Sequence, residues 1–440
     1  MDYVPVAISS VSAEDEVNYP VTKSCKLQVI VIGCAAIAGI LLAGCKSVHN
    51  EASALTEIGP APDVRVSLMA DGLPQNFFLS GADTECASQI VGYRFVVWLD
   101  NDHVAVGFNT SPSCRSSPNQ RVQGLARILV FNVKGNLKAS RDLPYEADGN
   151  GELVTPGEAS PGPGGTLLFR IEGVNGTKSA VLLLDSTLKD VARFDRFLEQ
   201  TALEDHALVF QDGFTLSGPR TYSVFDGAVP KLIEHRQVEW PAGAMDRKFG
   251  EHGFAFMLCG QEFRPGTYTY TNVVHAGVKF RCALNAQGED GSVWTSPLKD
   301  GETATIIDLL SDGSVVGQVY VKGSNAGRLV VWKKEGSSDH LPWLPSEFAG
   351  TVDSASRDFS RYASFATNDA RPCNPIARLL GTACDEGGNG RWFVFDRKSK
   401  FPVVNRVFLK GGRADLSPDG LRYASFESDE LRIYPLPDSK

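Results

Sequence analysis

The stretch LSPDGLRYASFESDELRIYPLP, Leu416 to Pro437, holds two runs of alternating apolar residues joined by short polar turns, and it stops three residues before the end of the chain. Alternation of this period puts one face of an extended strand in a core and the other in water. Strands this close to a terminus need a neighbour from elsewhere, because a bare sheet edge recruits other chains. The same unit, a polar or Gly-bearing turn followed by an alternating strand, recurs upstream as WLDNDHVAVGF, PGPGGTLLFRI, TALEDHALVFQ, KFGEHGFAFML, LLSDGSVVGQVY and RDFSRYASFA. Arg361 to Phe365 and Arg422 to Phe426 are identical, as a duplicated unit would leave them.

Anchored on Phe108, Phe169, Phe210, Phe256, Val319, Phe365 and Phe426, the seven units lie 41 to 63 residues apart. Each is followed by a second apolar run, from ARILVFNV at Ala126, through RWFVFD at Arg391, to ELRIYPL at Glu430. Helix signals are nearly absent. Repeats of this size, each a few short strands, predict an all-β, seven-bladed propeller over residues 63–440. The last unit lacks a fourth strand. VRVSLM, Val64 to Met69, has no hairpin partner beside it and is expected to supply that strand, closing the ring from the N-terminal side. Ser417-Pro418-Asp419-Gly420 and the strand after it resemble the repeat of TolB-type, WD-repeat-like propellers, in which Ser-Pro-Asp-Gly forms the turn between first and second strands. The resemblance implies fold and no particular function.

Near the start stands KSCKLQVIVIGCAAIAGILLAGC, Lys23 to Cys45. Two lysines precede an uncharged run, Leu27 to Ala43, which ends in Leu42-Ala43-Gly44-Cys45. This resembles the lipobox of bacterial lipoprotein signal peptides, behind a leader longer and more acidic than is usual in that family. The resemblance implies cleavage before Cys45, lipidation of its thiol and anchoring on a membrane by several acyl chains. Lys46 stands where an Asp marks inner-membrane retention, so the implied address is the cell envelope, at the outer membrane in a Gram-negative cell. The alternative is an uncleaved helix, whose seventeen residues reach about 25 Å, short of a hydrocarbon core of about 30 Å. Residues 1–44 are therefore expected to be leader or anchor, and 45–62 a lipidated Cys and a polar tether.

Of the 440 residues 42% are hydrophobic and 22% charged, the composition of a packed globular chain. The formal charge of -9 becomes -7 without residues 1–44, which carry two Lys and four acidic residues. Electrostatic capture of nucleic acid needs clustered Lys and Arg, so no nucleic-acid partner is expected. Beyond the leader and Cys45 remain Cys86, Cys114, Cys259, Cys282, Cys373 and Cys384, which in an exported domain are expected to form disulfides. Six cysteines allow fifteen pairings. The sequential one, with Cys259 to Cys282 in the middle, keeps each bridge inside one blade; free buried thiols are the alternative.

Most of these cysteines lie in or beside three long loops between second and third strands, Asn109 to Gln123, Gly260 to Ala276 and Thr367 to Gly390. In a propeller these loops share a face with the blade-to-blade connections. The middle one offers Arg264, Tyr268, Tyr270 and Asn272, and the others add Arg115 and Arg371. Tyr and Arg are favoured where proteins meet partners. A plainer reading makes the tyrosines part of an extended hairpin that only covers the ring.

His103, His206 and His252 recur in turns of the opposite face, set far apart, where turn polarity accounts for them. No nucleophile elbow, zinc-protease helix, phosphate loop or dinucleotide fingerprint occurs. Glu158, Asp246, Asp353 and Asp415 stand near the starts of first strands and read as turn or solvent-facing carboxylates. The expected function is that of a lipid-anchored, non-catalytic binding or scaffold module for a protein, peptide or glycan, with no metal site and no cofactor. The alternative is a propeller hydrolase, lyase or oxidoreductase with a metal or quinone in the central channel.

Overall fold

In the computed structural model the described residues are 57–74, 94–110, 122–147, 153–154, 156–171, 180–194, 201–203, 207–212, 220–226, 231–238, 240, 244–250, 253–264, 267–269, 280–288, 291–310, 312–321, 327–335, 337–340, 352–367, 390–399, 401–408 and 412–438. They form seven antiparallel sheets. Blade one holds Arg94–Trp98, His103–Asn109, Val122–Asn132 and Leu137–Ala147, with Leu153–Val154 added beyond; blade two holds Pro156–Gly162, Thr166–Ile171, Ala180–Leu184 and Asp190–Phe194. Blade three is Thr201–Leu203, Ala207–Asp212, Arg220–Asp226 and Leu232–Val238. Blade four is Ala244–Gly250, Gly253–Arg264, Phe280–Gly288 and Val293–Pro297, with Thr267–Thr269 attached to its second strand. Blade five is Glu302–Leu309, Val315–Val321, Gly327–Trp332 and Ser338–His340; blade six is Val352–Ala355, Arg361–Thr367, Gly390–Asp396 and Val404–Phe408. Blade seven joins Arg413–Leu416, Arg422–Glu427 and Glu430–Pro435 to Val64–Ser67.

All seven anchors fall on second strands, and the apolar runs after them are the third strands. First strands of neighbouring blades touch around the centre, as Arg94–Trp98 does with Arg413–Leu416 on one side and Pro156–Gly162 on the other. The core lies in the seams between blades. Val96, Trp98, Phe108, Leu129 and Phe131 of blade one pack on Ala424, Phe426, Leu431 and Ile433 of blade seven. Third strands such as Ala180–Leu184 are buried at every position because a blade covers each of their faces.

The ring closes as the unpaired edge requires. Val64 lies opposite Ile433, and Ser67 opposite Glu430. The strand is shorter than the expected Val64 to Met69, since Met69–Asp71 turns into one 3-10 coil ended by Gly72 at φ 94. The chain also engages the ring earlier than its polar composition suggests. Ile58 exchanges two backbone hydrogen bonds with Asn405, at 2.8 and 2.9 Å, on the outer strand of blade six. Glu57 accepts the Val407 N–H, and Arg406 donates to the Pro60 carbonyl. An outer strand has one open edge, and these residues cover it.

Candidate functional site

Two ribbons rise on the face that carries the connections between second and third strands. In blade four the second strand pairs with the first only up to Leu258, opposite Ala244. Beyond that point Gln261 pairs with Phe280 on one side and Thr269 on the other, and Glu262 lies opposite Tyr268. Where sequence suggests a loop from Gly260, the backbone makes an extended hairpin with Tyr268 on its inner strand. Cys259 and Cys282 face each other across its base and are joined by a disulfide, both buried among Met257, Leu284 and Ala304. In blade one, Val122 to Leu125 continue past the second strand and pair with Pro144 to Ala147, and the Thr110 N–H donates to the Leu125 carbonyl at 2.9 Å.

Arg264 and Tyr268 are placed in backbone alone, on strands of the blade-four hairpin. Tyr270, Asn272, Arg115, Arg371, Cys45, Cys86, Cys114, Cys373 and Cys384 lie outside the described residues, as do His206 and His252.

The opposite face is built from turns between first and second strands. Ser356 and Ser417 each donate from Oγ to an aspartate two residues on, Asp358 at 2.8 Å and Asp419 at 2.6 Å. The same hydroxyls accept the N–H of Arg361 and Arg422, which closes identical loops in blades six and seven. Neighbouring turns of blades six, seven and one touch here. The Arg357 N–H donates to the Pro418 carbonyl at 2.8 Å, and the Asp419 N–H to Asn101 Oδ1 at 3.0 Å. His103 is held by Asp100 of its own turn at 3.0 Å. Among the described residues no group of three His, Cys, Asp or Glu could hold a metal ion.

The channel wall holds what sequence reading undervalued. Asp415, expected as a turn or solvent-facing carboxylate, instead joins three blades. It accepts from Ser354 Oγ of blade six at 2.5 Å and from the Trp98 N–H of blade one at 2.8 Å, while Trp98 Nε1 donates to its carbonyl. Asp415 is half-buried, with its carboxyl packed among these donors. That burial pushes its carboxyl up to about 6, against the opposing effect of the Ser354, Trp98 and Leu416 donors. Asp353 caps the Phe365 N–H at 2.6 Å, at a bulge in its own strand.

Between blades four and five, Asp246 has φ 45 at a bulge, a backbone conformation unusual for a residue with a Cβ. Burial raises Asp246 and Asp308, and the Lys248 charge acts on both in the opposite sense. Tyr320 is raised by burial and then by Asp246. Asp246 and Asp308 remain open to solvent, as groups lining a water-filled channel would. Lys248, Asp308 and Tyr320 belong to no motif; Lys248 shares the strand of Asp246, and Asp308 and Tyr320 come from blade five. The side chain of Glu158 lies outside the described residues.

No family model and no curated protein matches the chain. Several solved structures are similar to it. The β-propeller domain of the Trilobed protease from Pyrococcus furiosus shares 13% identity at a TM-score of 0.45, covering 79% of this chain and 96% of that one. TolB from Acinetobacter baumannii shares 12% at 0.36, over 66% of this chain and 77% of that one. BamB from Moraxella catarrhalis shares 10% at 0.32, over 79% and 99%. At these identities and scores the likenesses carry no statement about ligand or chemistry.

Proposed function

We propose that the chain is a lipid-tethered propeller of the cell envelope that captures a protein, peptide or glycan on the face bearing the stapled blade-four hairpin, without chemistry of its own. The observation that carries this reading is the hairpin itself. It extends past its blade, and the Cys259–Cys282 bridge closes its base. A clamped arm gives up less freedom on binding than a mobile loop, and its strands carry Arg264 and Tyr268, with Tyr270 and Asn272 following in sequence. Replacing Arg264, Tyr268 and Tyr270 with Ala should weaken capture of partners from a membrane extract and leave the melting temperature nearly unchanged. Loss of partners on replacing His103, His206 and His252 with Ala, with capture intact in the hairpin variant, would put the working surface on the other face.

The tether rests on Leu42 to Cys45. Cys45→Ser should abolish incorporation of labelled fatty acid, and labelling unchanged by the substitution would remove the anchor from this reading. A catalytic second reading is favoured by Asp246, Lys248, Asp308 and Tyr320 on the channel wall, where shifted carboxylates are open to solvent. Asp308→Asn is its test. Any turnover of peptide or glycan libraries that this change removes would establish the channel as an active site.

A further inference from the structure

The face opposite the blade-four hairpin carries a row of side chains at its outer rim. Third and fourth strands are joined on that face, because strands alternate in direction within a blade. The joining turns pack on those between first and second strands: the Val133 N–H donates to the Asp102 carbonyl at 3.0 Å, and the Arg397 N–H to that of Ser360 at 2.8 Å. Where the outer strand begins, an exposed lysine is followed by an exposed apolar residue. The pairs are Lys134 and Leu137 in blade one, Lys231 and Ile233 in blade three, and Lys398 and Phe401 in blade six. Blade two has Lys189 and Val191 at the same place. The step from lysine to apolar residue is three in blades one and six and two in blades two and three, so no sequence repeat carries the row. Blade four breaks it, with Val293 following Glu289 and Asp290.

Several aspartates share this face, and they are turned inward. Asp100, Asp185, Asp358 and Asp419 each accept a backbone N–H of their own turn, from His103, Lys189, Ser360 and Leu421, at 2.8 to 3.0 Å. Asp190 is held by Arg141 at 2.8 Å. Phe401 is fixed in place and yet uncovered. Ser399 Oγ accepts the Phe401 N–H at 3.1 Å and donates to its carbonyl at 2.6 Å, while 71% of the residue stays open. Apolar side chains held out beside lysines suit a lipid interface, where the apolar part enters the acyl boundary and the ammonium groups meet phosphates. The pairs stand on the outermost strands of blades one, two, three and six, so one partner that meets them all must be flat and as broad as the ring. The chain itself brings such a surface within reach. Its apolar run, Leu27 to Ala43, ends fourteen residues before Glu57 bonds to blade six, a span of about 50 Å at most.

We propose that this rim rests on a membrane surface bearing anionic phospholipid, with the lysines at the headgroups and Leu137, Ile233 and Phe401 at the acyl boundary, so that the hairpin face is turned away from the lipid. The inference rests on the reading of the chain as membrane-tethered and adds to it the side of the ring that meets the membrane.

The test reconstitutes the full chain in vesicles of phosphatidylcholine and phosphatidylglycerol, with photoreactive benzoylphenylalanine in place of Phe401, of Ile233 or, on the hairpin, of Tyr268. Flotation of the vesicles reads the tether, and lipid attached on irradiation reads the face. Positions 401 and 233 should take up lipid about fivefold or more above position 268. Lys134→Glu, Lys231→Glu and Lys398→Glu together should lower the yield at 401 by about fivefold or more, with flotation and melting temperature unchanged, and vesicles of phosphatidylcholine alone should lower it as well. A chain that floats but takes up no more lipid at 401 and 233 than at 268 would overturn this face and leave the tether standing. A chain that does not float would overturn the tether and the face with it. Yields that ignore the lysine changes would overturn the contact with anionic headgroups. Adducts between two copies of the chain in place of lipid would make the rim a protein contact and overturn the membrane as its partner.

Discussion

Arg361 and Arg422 occupy the same place in two copies of one turn and strand, yet their surroundings give them different weight. Arg361 is buried, pairs with Asp396 at 2.8 Å, donates to the Gly420 carbonyl at 2.7 Å and also to that of Pro437, so one fork ties blade six to both ends of the last blade. Arg422 is only half-buried. Arg361→Ala should cost about 3 to 5 kcal/mol in denaturant unfolding, because it strands a carboxylate and two carbonyls, while Arg422→Ala should cost less than about 1 kcal/mol. Asp415 gives a signed pH effect. Its carboxyl, pushed up from 3.8 to about 6, holds a proton more tightly folded than unfolded, so its contribution is fully present below about pH 4 and is lost as pH rises through 6. Asp415→Asn should flatten that part of the melting profile between pH 4 and 6. It should also raise stability at pH 7 by about 1 to 2 kcal/mol, allowing for the part open to solvent. Sequence showed that Arg361 and Arg422 are equivalent and could not show which one is enclosed. It also hid the turn of blade six, where Phe359, at φ 54 and buried, holds the place that Gly420 fills at φ 68. A strained backbone is tolerated there for the sake of a packed ring.

At the scale of strands, second and third members such as His103–Asn109 and Ala180–Leu184 were legible because both of their faces are covered and their residues are apolar in runs. First strands were not. Bulges interrupt four of them, in blades two, four, five and six, and a bulge breaks the period of two on which strand reading depends. The blade-four hairpin was one of two readings of its segment, since Pro265-Gly266 and the polar residues around it also read as loop, and the pairing of Glu262 with Tyr268 makes it a hairpin. Docking of Glu57 to Pro60 escaped because a single backbone bridge needs no apolar side chain. These contacts set a graded truncation series. Removing the chain up to residue 56 should leave the melting temperature unchanged. Removal through Pro60 should cost about 1 to 2 kcal/mol for the bonds to Asn405, Arg406 and Val407. Removal through Ser67 should lower stability sharply and speed amide exchange in Glu430–Pro435, which loses its partner strand. If the last two truncated chains melt alike, the N-terminal strand does not hold the ring.

For the whole molecule, the repeat spacing was enough to number the blades, whereas the faces of the ring acquire their chemistry from residues that no repeat dictates. Trp98 and Asp415 illustrate this. Each is an ordinary residue in its own blade, and they become a pair only because the first and last blades adjoin. The closure that brings them together also sets a clock. Val64 must wait for Ile433, 369 positions later, and every blade between them can form before that contact exists. Contacts of such separation are slow to find and leave partly folded chains exposed meanwhile. A chain halted before Arg413 should keep six formed blades yet remain open to protease between blades six and one. Addition of a synthetic peptide spanning residues 413–438 should restore resistance. During synthesis the ring thus stays unlocked until Glu430 to Ile433 arrive, and that last strand pairing decides when it becomes a finished ring.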